Sequence, residues 1–133
     1  MYRWVDHTGE LELKIESESE AGIFSDAAQA VGELLIEEEA PPADARRKRE
    51  ITVTAVDRPR LLAAWLGELA FLAETQGLVP TGLAHLQIGD GVVDATIVGH
   101  VANPPHLIKA VTYHRLSFEQ LDGRWHARAV LDV

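Results

Sequence analysis

The sequence predicts an α+β fold, with a mostly antiparallel sheet of about six strands and two helices packed on one face. Two segments carry apolar residues at helical spacing, and the other regular segments alternate or are rich in β-branched residues. Glycine-containing turns separate the later strands, which favours antiparallel pairing. The element order reads β-α-β-α-β-β-β-β, and the 133 residues fit a single domain spanning 1–133.

The first predicted strand leads directly into the first helix. Leu11, Leu13 and Ile15 alternate with charged residues, a period of two that is typical of a half-buried strand. Ser17 and Glu20 have the spacing of a capping box at the start of a helix. Apolar residues then recur at helical spacing, at Ile23, Ala27, Ala30, Val31, Leu34 and Leu35.

The second helix carries the clearest boundary signals. Asp57 is a suitable cap, Pro59 suits the first turn, and Gly77 is a natural stop. The residues before it, 51–56, form a β-rich run. The basic residues 46–49 are flanked by acids, and we interpret them as a solvated linker rather than a nucleic-acid patch.

The last third of the chain is predicted to be extended. Gly89-Asp90-Gly91 and Asp122-Gly123 are hairpin signals, and residues 102–105 form a break. The predicted strands are 83–88, 92–101, 108–120 with an irregularity near its middle, and the segment after Gly123.

The composition excludes several kinds of function. No cysteine is present, which excludes disulfides, thiolate zinc sites and a cysteine nucleophile. The formal net charge of −9 disfavours binding of phosphate backbones, and it either suits a basic protein partner or serves solubility alone. No apolar run approaches the roughly 18 residues of a membrane span, and the N-terminus lacks a secretory pattern. We therefore expect a cytoplasmic protein without membrane association.

Acidic residues at the two ends of the chain form a candidate metal site. Asp6 and Glu10 share a face if the opening segment is extended, and alternation in the last strand turns Asp132 away from the core. If the first and last strands are neighbours, Glu10, Asp132 and the terminal carboxylate of Val133 gather about three oxygens. Hard cations such as calcium and magnesium prefer such ligands. Solvated acids near frayed termini are the alternative.

The sequence lacks the common motifs of nucleotide binding, nucleophilic catalysis and zinc binding. It has no phosphate-binding loop, no nucleophile elbow and no HExxH spacing among its histidines. We therefore assign no catalytic residue and no residue that binds an organic cofactor.

Four segments resemble the archease family, in collinear order over essentially the whole chain. Residues 6–10, Asp-His-Thr-Gly-Glu, resemble its Asp-His-Thr-Ala-Asp signature, and residues 109–114, Lys-Ala-Val-Thr-Tyr-His, look like its most distinctive motif. Residues 61–78 are similar to its second helix with the Gly-Leu stop, and residues 122–133 to its C-terminus. Two departures stand in the signature, Gly9 for Ala and Glu10 for Asp.

The resemblance implies a non-enzymatic partner in RNA processing. Archeases assist the RtcB-type tRNA-splicing ligase, promoting its guanylylation and multiple turnover, and have also been linked to stabilising a tRNA methyltransferase. The family binds a divalent metal, often calcium, at positions that match Glu10, Asp132 and Val133. Contact with nucleic acid would be indirect. The residues alone leave open a stand-alone metal-dependent hydrolase.

Overall fold

The computed structural model describes residues 1–36, 46–102, 104 and 107–133. In these ranges the α+β class is confirmed, with seven strands rather than about six. The strands are β1 (Tyr2–His7), β2 (Glu10–Ser17), β3 (Arg46–Thr54), β4 (Leu78–Gly89), β5 (Val92–Val101), β6 (Ala110–Leu121) and β7 (Arg124–Asp132). The helices are α1 (Glu20–Leu35) and α2 (Arg58–Gln76).

The described strands form two antiparallel sheets instead of one. The first has the order β1-β2-β7-β6, and the second has the order β3-β5-β4. Helix α1 contacts β4 and β2, while α2 contacts β6, β4 and β3, so each helix touches both sheets. Because β1 and β7 belong to the first sheet, both ends of the chain lie in the four-stranded sheet.

Strand β1 is an element that the alternation pattern did not reveal. The chain reverses at Thr8-Gly9, where Gly9 has a φ of 74°, a left-handed conformation that glycine adopts without strain. The resulting hairpin pairs Tyr2 with Ile15 and His7 with Glu10.

Helix α1 begins two residues later than the capping box predicts. Ser19 is the N-cap, and its hydroxyl accepts a hydrogen bond from the Gly22 amide at 3.0 Å. Ser17 remains in β2 because the register with β7 extends as far as the pair of Ser17 and Trp125. Both serines offer the same capping chemistry, and the strand pairing decides between them.

Helix α2 has the predicted boundaries. Asp57 is the N-cap, and its carboxylate accepts a hydrogen bond from the Arg60 amide at 2.9 Å. Proline occupies the first turn, and Gly77 ends the helix with a φ of 65°. The predicted turns are also present, with positive φ at Gly91, Asp122 and Gly123.

The basic run at residues 46–49 is the first part of β3, so its interpretation as a linker was wrong. The pairing with β5 begins at Arg46 and His100 and continues to Thr54 and Val92. β3 is an edge strand, where long charged side chains reach solvent and discourage pairing with another chain. The predicted polar connection at 37–42 lies outside the described residues, as does part of the break at 102–105.

Close contacts between the helices and β4 organise the core. The Trp65 ring nitrogen of α2 donates a hydrogen bond to the Phe24 carbonyl of α1 at 3.0 Å, and the two rings pack edge to face. Gly32 of α1 lies so near the Pro80 carbonyl oxygen that a Cβ there would be 2.0 Å from it. The absence of a side chain at Gly32 permits this approach of α1 to β4.

Candidate functional site

Glu10 and Asp132 lie side by side at one end of the four-stranded sheet. Glu10 on β2 is the register partner of Asp132 on β7, and Ala110 on β6 faces Asp132 from the other side. Facing residues of antiparallel strands project from the same face, with Cβ atoms about 4.5–5.5 Å apart. The neighbouring Leu131 is fully buried, so the two acids are on the face away from the core, here called the outer face. The strand that carries Glu10 pairs with the last strand as expected, although β1 precedes it in the chain, and metal binding stays a prediction.

Asp6 does not share the face of Glu10, contrary to the expectation for an extended segment. The turn at Thr8-Gly9 reverses the chain between them, so His7 faces Glu10 and Asp6 faces Leu11. His7, Glu10 and Asp132 therefore form one row across three strands. Asp6 is exposed but belongs to the opposite face.

Val133 directly follows β7 and completes the predicted ligand set. The Lys109 amide donates a hydrogen bond to the Asp132 carbonyl at 2.8 Å, which holds the end of β7 against the start of β6. No group of three His, Asp or Glu side chains that could hold a metal occurs in the part of the chain that the structure describes. Metal binding by the Val133 carboxylate, like that by Glu10 and Asp132, stays a prediction. Two side-chain carboxylates and a terminal carboxylate suit the oxygen preference of calcium and magnesium.

A further acid on the outer face, Glu12, is buried although the alternation of β2 predicts a solvated side chain. It is 1% exposed. Three basic groups surround its carboxylate: His7 Nε2 at 3.6 Å, Lys14 Nζ at 3.7 Å and Arg115 Nε at 3.6 Å. Its Oε2 has no hydrogen-bond partner among the described residues. Nearby positive charge, rather than short hydrogen bonds, offsets the burial of this carboxylate.

An irregularity in β6 accompanies the buried Glu12. The register with β7 shifts between Thr112 and Ser117, confirming the predicted interruption of this strand. Arg115 within it has a φ of 59°, which is uncommon for a residue other than glycine. Val130, the β7 neighbour of both Glu12 and Thr112, is fully buried on the outer face. The outer face thus has a small buried cluster that no local sequence signal reveals.

Within the described part of the chain, the surroundings clearly shift the pKa of two titratable groups. Burial, reinforced by the hydrogen bond that Tyr2 donates to Glu33, raises the pKa of Tyr2 to about 12. Burial also lowers the pKa of His100, which is 4% exposed on β5. Neither group belongs to the row of His7, Glu10 and Asp132.

The fold and the row of His7, Glu10 and Asp132 together define a class of protein: a small α+β domain in which β2 and β7 carry facing carboxylates at one end of a sheet. Within that class the chain belongs to the Archease protein family, whose model matches residues 2–133. In the described part of the chain, neither helix is long and apolar enough to cross a membrane.

Individual relatives support the assignment. The archease of Methanosarcina mazei is 29% identical over 141 residues, covering 99% of this chain and 95% of that protein. The archease of Thermococcus gammatolerans is 29% identical over 145 residues, with full coverage of both. The solution structure of protein 1598 of Methanobacterium thermoautotrophicum has a TM-score of 0.72 and 25% identity, covering 99% of this chain and 98% of that one. The crystal structure of an archease from Thermotoga maritima has a TM-score of 0.66, 17% identity and coverage of 100% and 98%, which supports the fold.

Proposed function

We propose that this protein is a non-catalytic cofactor in RNA processing that activates an RtcB-type RNA ligase by promoting its guanylylation and multiple turnover. Membership of the Archease family supports the proposal, together with the facing carboxylates of Glu10 and Asp132 at one end of the four-stranded sheet. An activator need only bind a productive conformation of the enzyme more tightly than an unproductive one. Its effect is limited by that difference in affinity.

The acidic tip, formed by Glu10, Asp132 and Val133, is the part of the protein that we assign to this task. The two acidic side chains are half-buried and Val133 is 41% exposed, so the strands hold them while a partner can still reach them. Glu10 is one methylene longer than aspartate, and the pairing of β2 with β7 brings it beside Asp132. A bound divalent cation such as calcium would supply positive charge at the contact with the ligase. Without a cation, the same carboxylates would engage basic groups of the ligase directly.

The decisive experiment measures ligase guanylylation with purified ligase and purified partner. Asp132→Asn and Glu10→Gln remove one charge each from the tip and should reduce the stimulation. Asp90→Asn, in the β4–β5 turn of the other sheet, changes the net charge equally and should stimulate like the wild type. Full stimulation by folded Asp132→Asn and Glu10→Gln proteins would contradict the assignment of the tip.

Calorimetric titration with calcium and with magnesium tests the cation separately. Binding should weaken in Asp132→Asn and in a variant extended by one alanine after Val133, because the extension removes the carboxylate from that residue. Unaltered metal affinity in the extended variant would show that Val133 is not a ligand. If the wild type binds neither cation, the remaining explanation is that the carboxylates contact basic groups of the ligase directly.

A second candidate is a chaperone-like modulator of a tRNA methyltransferase. The Thermotoga maritima relative is described as a possible chaperone, which favours this candidate over the hydrolase. A stand-alone hydrolase needs a set of strong metal ligands plus a general base, and no group of three His, Asp or Glu side chains that could hold a metal occurs among the described residues. Affinity capture from native lysate distinguishes the first two functions by whether a ligase or a methyltransferase is recovered.

A further inference from the structure

A row of three cations crosses the outer face of the four-stranded sheet. Arg3 faces Lys14, and Lys14 faces Arg128, on the adjacent strands β1, β2 and β7. With strands about 4.8 Å apart the row is roughly 10 Å long. Lys14 is four residues along β2 from Glu10, or about 13 Å. The cationic row is therefore separate from the acidic tip.

Like charges on facing positions of neighbouring strands destabilise a sheet. The row is poorly compensated by the described residues: Arg3 has no hydrogen bond or ion pair among them. Arg128 Nε donates only to the Ser117 hydroxyl, at 3.4 Å. The nearest carboxylate to Lys14 is that of Glu12 at 3.7 Å, and two other bases share it. The row is thus a local surplus of positive charge in a protein whose net charge is −9.

The same three cations line a groove of about 320 Å³. Among the described residues two acids also border it, but the Glu16 carboxylate is engaged by Arg124 Nε at 2.7 Å. Glu119 is the other bordering acid, and its single negative charge is fewer than the three positive charges of the row. The Ser117 hydroxyl and the His126 ring add polar groups to the lining. The groove combines anion-binding side chains with space for a small ligand.

We propose that this groove binds a compact polyphosphate, the diphosphate or triphosphate part of a nucleotide. The planar guanidinium groups of Arg3 and Arg128 suit two-point contacts with phosphate oxygens, and Lys14 supplies a point charge between them. A row of roughly 10 Å accommodates a few linked phosphates and is short for a nucleic-acid backbone. The negative charge of the bound anion offsets the electrostatic repulsion among the three cations.

Calorimetric titration with inorganic pyrophosphate and tripolyphosphate tests the proposal. The wild type should bind both, and Arg128→Gln should bind at least about tenfold more weakly. Arg46→Gln removes the same charge from β3 of the other sheet and should bind like the wild type. Sulfate at matched ionic strength controls for screening.

Three results of the binding experiments overturn the proposal. The first is that neither polyphosphate binds. The second is that Arg46→Gln weakens binding as much as Arg128→Gln, which would assign the effect to overall charge. The third is that a single-stranded RNA oligomer binds while pyrophosphate and tripolyphosphate do not, which would assign the groove to a nucleic-acid backbone.

Thermal unfolding supplies a readout that does not depend on the binding assay. Without ligand, Arg3→Gln should unfold at the wild-type temperature or above it, because one repulsive neighbour is removed. With pyrophosphate, the wild type should gain more stability than Arg3→Gln, since a ligand stabilises the folded state that binds it. A lower unfolding temperature for Arg3→Gln without ligand would show that the row is compensated internally and would contradict the proposal.

Discussion

Alanine in place of Gly32 should destabilise the protein, whereas alanine in place of Gly67 should stabilise it. Both glycines lie inside helices, Gly32 in α1 and Gly67 in α2. The intrinsic helix propensity favours alanine over glycine by about 1 kcal/mol. A Cβ at Gly67 would have no neighbour within 4 Å, so Gly67→Ala should realise most of this gain in the free energy of unfolding.

At Gly32 a steric cost opposes the same gain. The added Cβ would lie 2.0 Å from the Pro80 carbonyl oxygen and 3.1 Å from the carbonyl carbon. Backbone atoms cannot rotate away, so α1 and β4 would have to separate by more than an ångström. Overpacking of this kind costs about 1–3 kcal/mol and occasionally more. The net expectation for Gly32→Ala is a loss on the order of 1–2 kcal/mol.

Thermal unfolding of the wild type and the two variants measures both effects. For a domain of this size, 1 kcal/mol corresponds to a shift of roughly 3–5 °C. The unfolding temperature should therefore fall by several degrees in Gly32→Ala and rise by a few degrees in Gly67→Ala. A Gly32→Ala protein as stable as the wild type would refute the close approach of α1 to β4. A decrease in Gly67→Ala would refute the open environment of Gly67.

Three further predictions concern the polar side chains of Tyr2, His100 and Glu12. The pKa of Tyr2 is raised from 10.0 to about 12, so its contribution to stability is complete below pH 10 and is lost as the pH rises through 12; a tyrosinate absorbance titration should show one group near 12 that is absent in Tyr2→Phe. The pKa of His100 is lowered from 6.5, so its contribution is present above pH 6.5 and is lost as the pH falls through the lowered value. His100→Gln should therefore lose less stability in acid than the wild type, as measured by urea midpoints across pH. Glu12→Gln removes the charge near Arg115, leaves a buried amide without a hydrogen-bond partner and should cost about 1–3 kcal/mol of stability. It should also speed amide exchange at residues 113–116; unchanged exchange there would show that Glu12 does not hold the β6 irregularity.

Local signals predicted the elements whose determinants lie within a few residues of one another. The boundaries of α2 follow from Asp57 and Gly77, each of which acts on backbone groups of the adjacent turn. The same holds for the turns at Gly91 and Gly123. Prediction failed at Ser17 and at residues 46–49, where a tertiary pairing partner decided the conformation.

The candidate site was predictable in part. The resemblance implied Glu10, Asp132 and Val133, and the alternation of the last strand already directed Asp132 away from the core. The relation of Asp6 to Glu10 was mispredicted because the turn at Thr8-Gly9 was not recognised. The burial of Glu12 had no local sequence signal, since its neighbours include Arg115, which lies far along the chain on β6.

The sequence by itself determined where the helix α2 and the later turns lie, and on which face of β7 each side chain projects. These features depend on backbone preferences and on a period of two, which are properties of neighbouring residues. Only the tertiary structure decided that β2 pairs with β7 and that the strands divide into two sheets. It alone aligned Glu10 with Asp132 at the tip and Arg3 with Lys14 and Arg128 in the groove. Alternation shows which face a residue occupies, but the choice of partner strand and register depends on the packing of the whole core.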